Sequence, residues 1–403
     1  MAACRVMLFS FQQQETGCKK PAIYFFKLLC YNVDLVSILT LYGNGDDDVA
    51  VADNSMQPER QSGKNAVWLA VLFIVIAAIG LLYVKWWPYY QKSLLAAHTH
   101  SIGTSILGDP GKSAQFSWNG TFQYVIQYFQ AIWKAAVLGI LLGSLMQVLL
   151  PTEWLVKVLG KTSFGSTVIA GASAIPGMMC TCCAAPLAVG LRKKQVSTGA
   201  ALAFWIGNPM LNPATLIFMA FVLPWKFTVL RILAGLVLTF GVSYLAGRIA
   251  KSEQSVDISK LAAVGDQNEG SLLTRWGKAA GQMLLYLVPA YLLSVVILSA
   301  ARFWLFPQIN QGDANSMLGV VLFAISGMLF VIPTAAEIPI VQTMMSFGLG
   351  AGPAAALLVT LPAISLPSLI MVGKSFSKQT LFFVAASCVV IGILGGLAGI
   401  MLF

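Results

Sequence analysis

At 403 residues, 58% hydrophobic and only 10% charged, the sequence has too few charged side chains to cover a soluble globule of its length. Its apolar runs are long enough to cross roughly 30 Å of hydrocarbon, which places it among polytopic helical membrane proteins. The formal charge of +10 gathers at the ends of apolar segments and forms no basic stripe with interleaved aromatics, so it bears on membrane topology and argues against a nucleic-acid face.

Residues 1–55 differ in kind from the rest of the chain. Their apolar run, KKPAIYFFKLLCYNVDLVSILTLYG, is broken by Lys27 and Asp34, and no small-residue cleavage pattern follows a clean apolar core. The expectation is a poorly ordered N-terminal extension, or a start assigned too far upstream. Residues 56–118 hold the first membrane helix, Ala66 to Val84, an interfacial flank at Lys85-Trp86-Trp87, and an extracytoplasmic loop. His98 and His100 in that loop lack the further ligands that a metal needs.

A first repeat covers 119–248. Its opening helix, Tyr124 to Leu150, carries Lys134, which reads equally as a coupling group and as a side chain snorkelling to the interface. Gly139, Gly143 and Ser144 suit close helix packing. Then comes the segment Ile175–Leu191, IPGMMCTCCAAPLAVGL, with three cysteines between the breakers Pro176-Gly177 and Pro186. A broken helix at membrane depth is tolerated only where it packs in protein or lines a cavity, so this stretch is the leading site candidate. A second breaker, NPMLNP, spans Asn208 to Pro213.

A polar linker, 249–277, is followed by a second repeat, 278–403, in which VIPTAAEIPIVQ and LPAISLP stand where the first repeat has its cysteine segment and its NPMLNP breaker. Aligning Pro186 with Pro339 also aligns Gly199 with Gly352 and Pro209 with Pro362. Positive charge is distributed oppositely: Arg192, Lys193 and Lys194 follow the first broken segment, whereas the second half carries Lys374 and Lys378 after its breaker span. If basic loops are cytoplasmic, the linker is cytoplasmic and the fold is all-α, with two inverted repeats that each contain a broken or re-entrant helical segment.

Such a bundle brings Cys180, Cys182 and Cys183 toward Thr334, Glu337 and Gln342, with Asn208, Asn212 and Ser365 lining the same region. Three thiols in a dry setting favour soft electrophiles: trivalent arsenic, cuprous ion, or sulfur and selenium species that exchange with thiols. They are the metal-ligating candidates if a soft metal or metalloid binds. Zinc would want a fourth ligand. Glu337 suits a proton-coupled step, or is a neutral structural carboxyl. The set needed for hydrolysis and a phosphate-cradling glycine loop are both missing, so no enzyme and no cofactor is expected.

The segments HSIGTSIL, WKAAVLGILLGSL, PGMMCTCCAAPLAVGLRKKQVS, GNPMLNPATLIFM, FVIPTAAEIPIVQTMM and LPAISLPSLIM, in order from about Leu81 to Phe403, resemble the YraQ-type predicted permeases. This bacterial inner-membrane family is related to the ArsP organoarsenical efflux permeases. The resemblance implies a multi-pass permease fold, and it maps the thiols used by ArsP-type relatives onto Cys180, Cys182 and Cys183. The expected function is a secondary transporter of a small thiol-reactive or sulfur-containing solute, a trivalent organoarsenical among them. The alternative is a membrane redox or cuprous-ion relay. Expected partners are membrane lipid and a small-molecule or ion substrate, with homo-oligomerisation left open.

Overall fold

Residues 63–103, 118–150, 152–252, 271–305 and 315–403 are described by the structure, a computed structural model, and all lie in the unit Gln61–Phe403. The extension expected at 1–55 and the centre of the linker lie outside the described residues. No strand occurs among the described residues. Seven of their helices are long and apolar enough to cross a membrane: Trp68–Thr99, Trp118–Leu149, Thr198–Val222, Trp225–Ala250, Leu272–Ala301, Ala351–Val372 and Lys378–Leu402.

The chain opens with α1 (Gly63–Leu81), which passes through a π-helical turn (Leu82–Trp86) into α2 (Trp87–Thr99). The sequence reading stopped this helix at Val84 and placed Lys85 at an interface; both expectations are corrected. Pro88 lacks an N–H, and the wide turn just ahead of it absorbs the broken bonding pattern, so the helix runs on. Lys85 consequently points inward, only 5% exposed.

The first half continues with α3 (Trp118–Leu149), α4 (Thr152–Leu159), α5 (Phe164–Ala174), α6 (Thr181–Lys193), α7 (Thr198–Met210), α8 (Pro213–Val222), α9 (Trp225–Leu236) and, after a π-helical turn, α10 (Ser243–Ser252). The second half holds α11 (Leu272–Leu305), α12 (Met317–Leu329), α13 (Glu337–Ser346), α14 (Ala351–Ala363), α15 (Leu366–Val372) and α16 (Lys378–Leu402). The linker expected at 249–277 is therefore narrower, because α10 extends to Ser252 and α11 starts at Leu272.

The starts of α5 and α12, α7 and α14, α8 and α15, and α9 and α16 are each 153 residues apart. That is the spacing of Pro186 from Pro339. The caps follow it too: Ser163 and Ser316 each accept a bond from the third backbone N–H beyond them, at the heads of α5 and α12.

At 11 residues, α5 is about 16 Å long, roughly half of what crossing requires. It lies along α7, with Gly199 close to Thr167 at one end and Gly207 close to Ala174 at the other, so the two helices run the same way. α6 then returns, and the Ser197 N–H donates to Leu159 O at the end where the excursion began (2.9 Å). The second half does likewise, α12 lying along α14 with Gly352 beside Val320 and Gly327 beside Thr360. Each half thus carries a chain tip, Met178–Cys180 in one and the segment after Leu329 in the other.

Candidate functional site

Both tips owe their shape to helix breaking. Pro176 and Gly177 end α5 in a 3₁₀ turn, Met178 takes a left-handed conformation (φ 49°), and Cys180 is extended before α6 starts. In the other tip Pro333 precedes Ala335, which is also left-handed (φ 70°). Non-glycine residues hold such backbone at a cost of about 1–3 kcal/mol each, and strain of this kind gathers at functional sites. Inside α6, Pro186 offers no N–H to the Cys182 carbonyl, a second break in the same segment.

The tips meet the two other interruptions, at Pro209–Asn212 and Pro362–Ser365, around a small cavity with room for roughly one water molecule. Cys180, Thr181, Thr334, Glu337, Thr215 and Ser365 are the polar residues that line it. The three cysteines are buried. The sulfurs of Cys180 and Cys183 lie 3.0 Å apart, while Cys182 turns to the Ser365 hydroxyl at 3.5 Å. Tyr291 approaches Cys182 as well, and its hydroxyl bonds that of Tyr128. Among the described residues no group of three His, Cys, Asp or Glu side chains is gathered as metal ligands.

The expected residues therefore divide. Cys180, Thr334, Glu337 and Ser365 line the cavity, and Cys182 and Cys183 stand one contact behind it. Asn208 and Asn212 are fully buried at the first breaker, where they support the backbone. The Asn208 amide donates to Phe204 O, and Asn212 Oδ1 caps α8 by accepting from Ala214 N and Thr215 N. Gln342 is half-buried on α13, off the cavity wall. Lys134 faces outward over the rings of Tyr83 and Trp133. His100 bonds Phe221 O through Nδ1 (2.8 Å), and His98 is exposed.

Two cations escaped the sequence reading as site residues. Arg231, fully buried on α9, donates from Nη1 to Glu337 Oε1 at 2.6 Å and from Nη2 to Pro209 O at 3.0 Å. It forms the one salt bridge among the described residues, and that bridge joins the two halves. Lys85 donates to the Tyr89 hydroxyl (3.1 Å) and, from 249 residues away in the chain, to Thr334 Oγ1 (3.2 Å). Its neighbour Trp86 donates from Nε1 to Pro176 O at 2.8 Å, so the π-helical turn holds both tips. The one available sign of Lys85's role was a lone lysine between apolar segments.

Half-length helices that meet at a polar cavity inside an apolar bundle are an arrangement that membrane transporters use for their solute sites. Residues 174–400, which include both tips and both breakers, match a family model described as a predicted permease, ArsP_1. The chain belongs to this predicted permease family. It is 49% identical over 332 residues to UPF0718 protein YraQ of Escherichia coli (strain K12), covering 82% of this chain and 95% of that protein. It is 21% identical over 337 residues to UPF0718 protein MJ0584 of Methanocaldococcus jannaschii, covering 66% and 92%. No solved structure matches it. The chain is a multi-pass protein of the bacterial inner membrane, a transporter rather than an enzyme.

Proposed function

We propose that this permease is a secondary transporter of a small thiol-reactive or sulfur-containing solute, with trivalent organoarsenicals in the class, and that it works by alternating access about the cavity between the tips. The observation that carries the reading is a strained helix break that puts Cys180 on the wall of a cavity shared by both halves, with the buried thiols of Cys182 and Cys183 one contact behind it. Thiols so placed are soft ligands in a dry setting, suited to a thiophilic solute.

In this reading the two halves are inverted repeats and the tips are re-entrant. Contact between their basic turns supports it: Arg192 Nε donates to the carbonyl of Ser375, next to Lys374, at 3.3 Å. The charged ends of both halves then share one side of the membrane, as the cytoplasmic preference of basic residues requires. Glu337 has the coupling role in this reading, through the ion pair with Arg231 that joins the two halves.

Transport into proteoliposomes tests the proposal. Cys180→Ser and Cys182→Ser are expected to abolish uptake of a thiophilic solute while leaving detergent-purified protein monodisperse. Equal transport by the triple serine variant would sink the cysteine role. One observation favours the second reading, a redox or cuprous-ion relay: the 3.0 Å separation of the Cys180 and Cys183 sulfurs. Reversible disulfide cycling with no solute uptake would select that reading.

A further inference from the structure

From the charges around the cavity we infer that the cargo is a small anion, its charged end held by the Lys85 ammonium and the Thr334 hydroxyl and its soft atom turned to the thiols. The inference rests on the permease reading and adds the sign of the cargo.

Lys85 is a buried cation with no carboxylate partner among the described residues. An ammonium withdrawn from water is tolerated when it is paired, and an unpaired one costs several kcal/mol. Lys85 is 5% exposed, yet both of its hydrogen-bond partners, Tyr89 and Thr334, are neutral hydroxyls. An ammonium has three N–H donors, so one remains unassigned. Glu337 is the one buried carboxylate among the described residues, and Arg231 already holds it at 2.6 Å. With Arg231 and Glu337 cancelling, the net charge beside the site is that of the Lys85 ammonium, which stands one hydrogen bond behind Thr334 on the cavity wall.

The surrounding polar atoms point the same way. The hydroxyl-bearing residues Thr334, Thr215 and Ser365 line the cavity. The Thr215 hydroxyl is buried without a partner among the described residues. Hydroxyl donors on a wall that an ammonium reaches through Thr334 suit an oxyanion better than a cation. The thiols of Cys180 and Cys183 lie within electrostatic reach of the same ammonium. One ligand that satisfies both features has an anionic oxygen group at one end and a sulfur, selenium or arsenic atom at the other.

The test is thermal stabilisation of the detergent-purified full chain, because a ligand that binds the native state raises its midpoint with concentration. The soft anions are thiosulfate and methanethiosulfonate. Sulfate and methanesulfonate supply charge without a soft atom, and methylarsonous acid and cuprous ion supply softness without negative charge. The soft anions are expected to raise the midpoint most. Lys85→Gln should weaken them at least about tenfold, the loss of one charge-assisted hydrogen bond, while Lys85→Arg retains binding.

Stabilisation by methylarsonous acid or cuprous ion alone, indifferent to Lys85→Gln, would overturn the anionic cargo and leave the thiol-based permease intact. Soft-anion binding that survives the triple cysteine-to-serine variant but needs Lys85 would uphold the charge and remove the thiols from the permease reading. If Lys85→Gln does not fold, the wild-type panel decides, and no shift from either soft anion overturns the inference. Thiolate absorbance near 240 nm that disappears in Lys85→Gln, with no anion binding, would assign the counter-charge to a cysteine and overturn it as well.

Discussion

Arg231 and Glu337 show what a buried pair does when its members come from different halves of a chain. Each is at most 1% exposed, and removing either strands the other's charge in the protein interior. Arg231→Met is therefore expected to destabilise by about 3–5 kcal/mol, while Arg231→Met combined with Glu337→Gln, which leaves no charge behind, recovers most of that loss. Denaturation midpoints in detergent measure both, and equal destabilisation by the single and double variants would show that the pair matters through packing. The cysteine cluster was legible in the sequence because its three members share one short segment between breakers. Arg231 and Lys85 were not, since their partners lie 106 and 249 residues away and local spacing carries no trace of such contacts.

At the scale of elements, the tip that bears the cysteines is seated on α3 by the absence of side chains. A Cβ added at Gly139 would lie 2.3 Å from the Cys183 carbonyl oxygen, and one at Gly143 would lie 2.8 Å from the Pro186 backbone. The small residues of α3 thus let a broken helix pack where an ordinary interface would hold it off. Gly139→Ala forces the tip to move and is expected to cost about 1–3 kcal/mol and to impair transport. Gly165→Ala on α5, where an added Cβ meets nothing within 4 Å, provides the control and should be neutral or stabilising. Equal behaviour of the two variants would refute the close seat. Proline and glycine made the breaks readable, and the 153-residue register follows from them. The passage of the first helix beyond Val84 was hidden, because a π-helical turn before Pro88 leaves no compositional mark.

At the scale of the whole molecule, a cavity with room for roughly one water molecule cannot hold a solute of several heavy atoms, so transport requires the walls to part. The contacts that must yield join residues of different halves: Cys182 on α6 to Ser365 at the head of α15, and Arg231 on α9 to Glu337 on α13. Because the Cys182 sulfur already sits 3.5 Å from the Ser365 hydroxyl, Ser365→Cys places two sulfurs within a short shift of bonding. Oxidation of this variant in proteoliposomes is expected to link the halves and reduce transport to background, and a reductant should restore it. Wild-type protein oxidised in parallel accounts for any effect of the Cys180–Cys183 pair, and mass spectrometry of the digested protein identifies the linked peptides. Loss of the Ser365 cap costs about 1 kcal/mol, too little to unfold the chain, so activity of the reduced variant sets the baseline. A linked protein that transports at the reduced rate would mean that the halves need not separate at this contact, and the moving boundary would then lie elsewhere in the bundle.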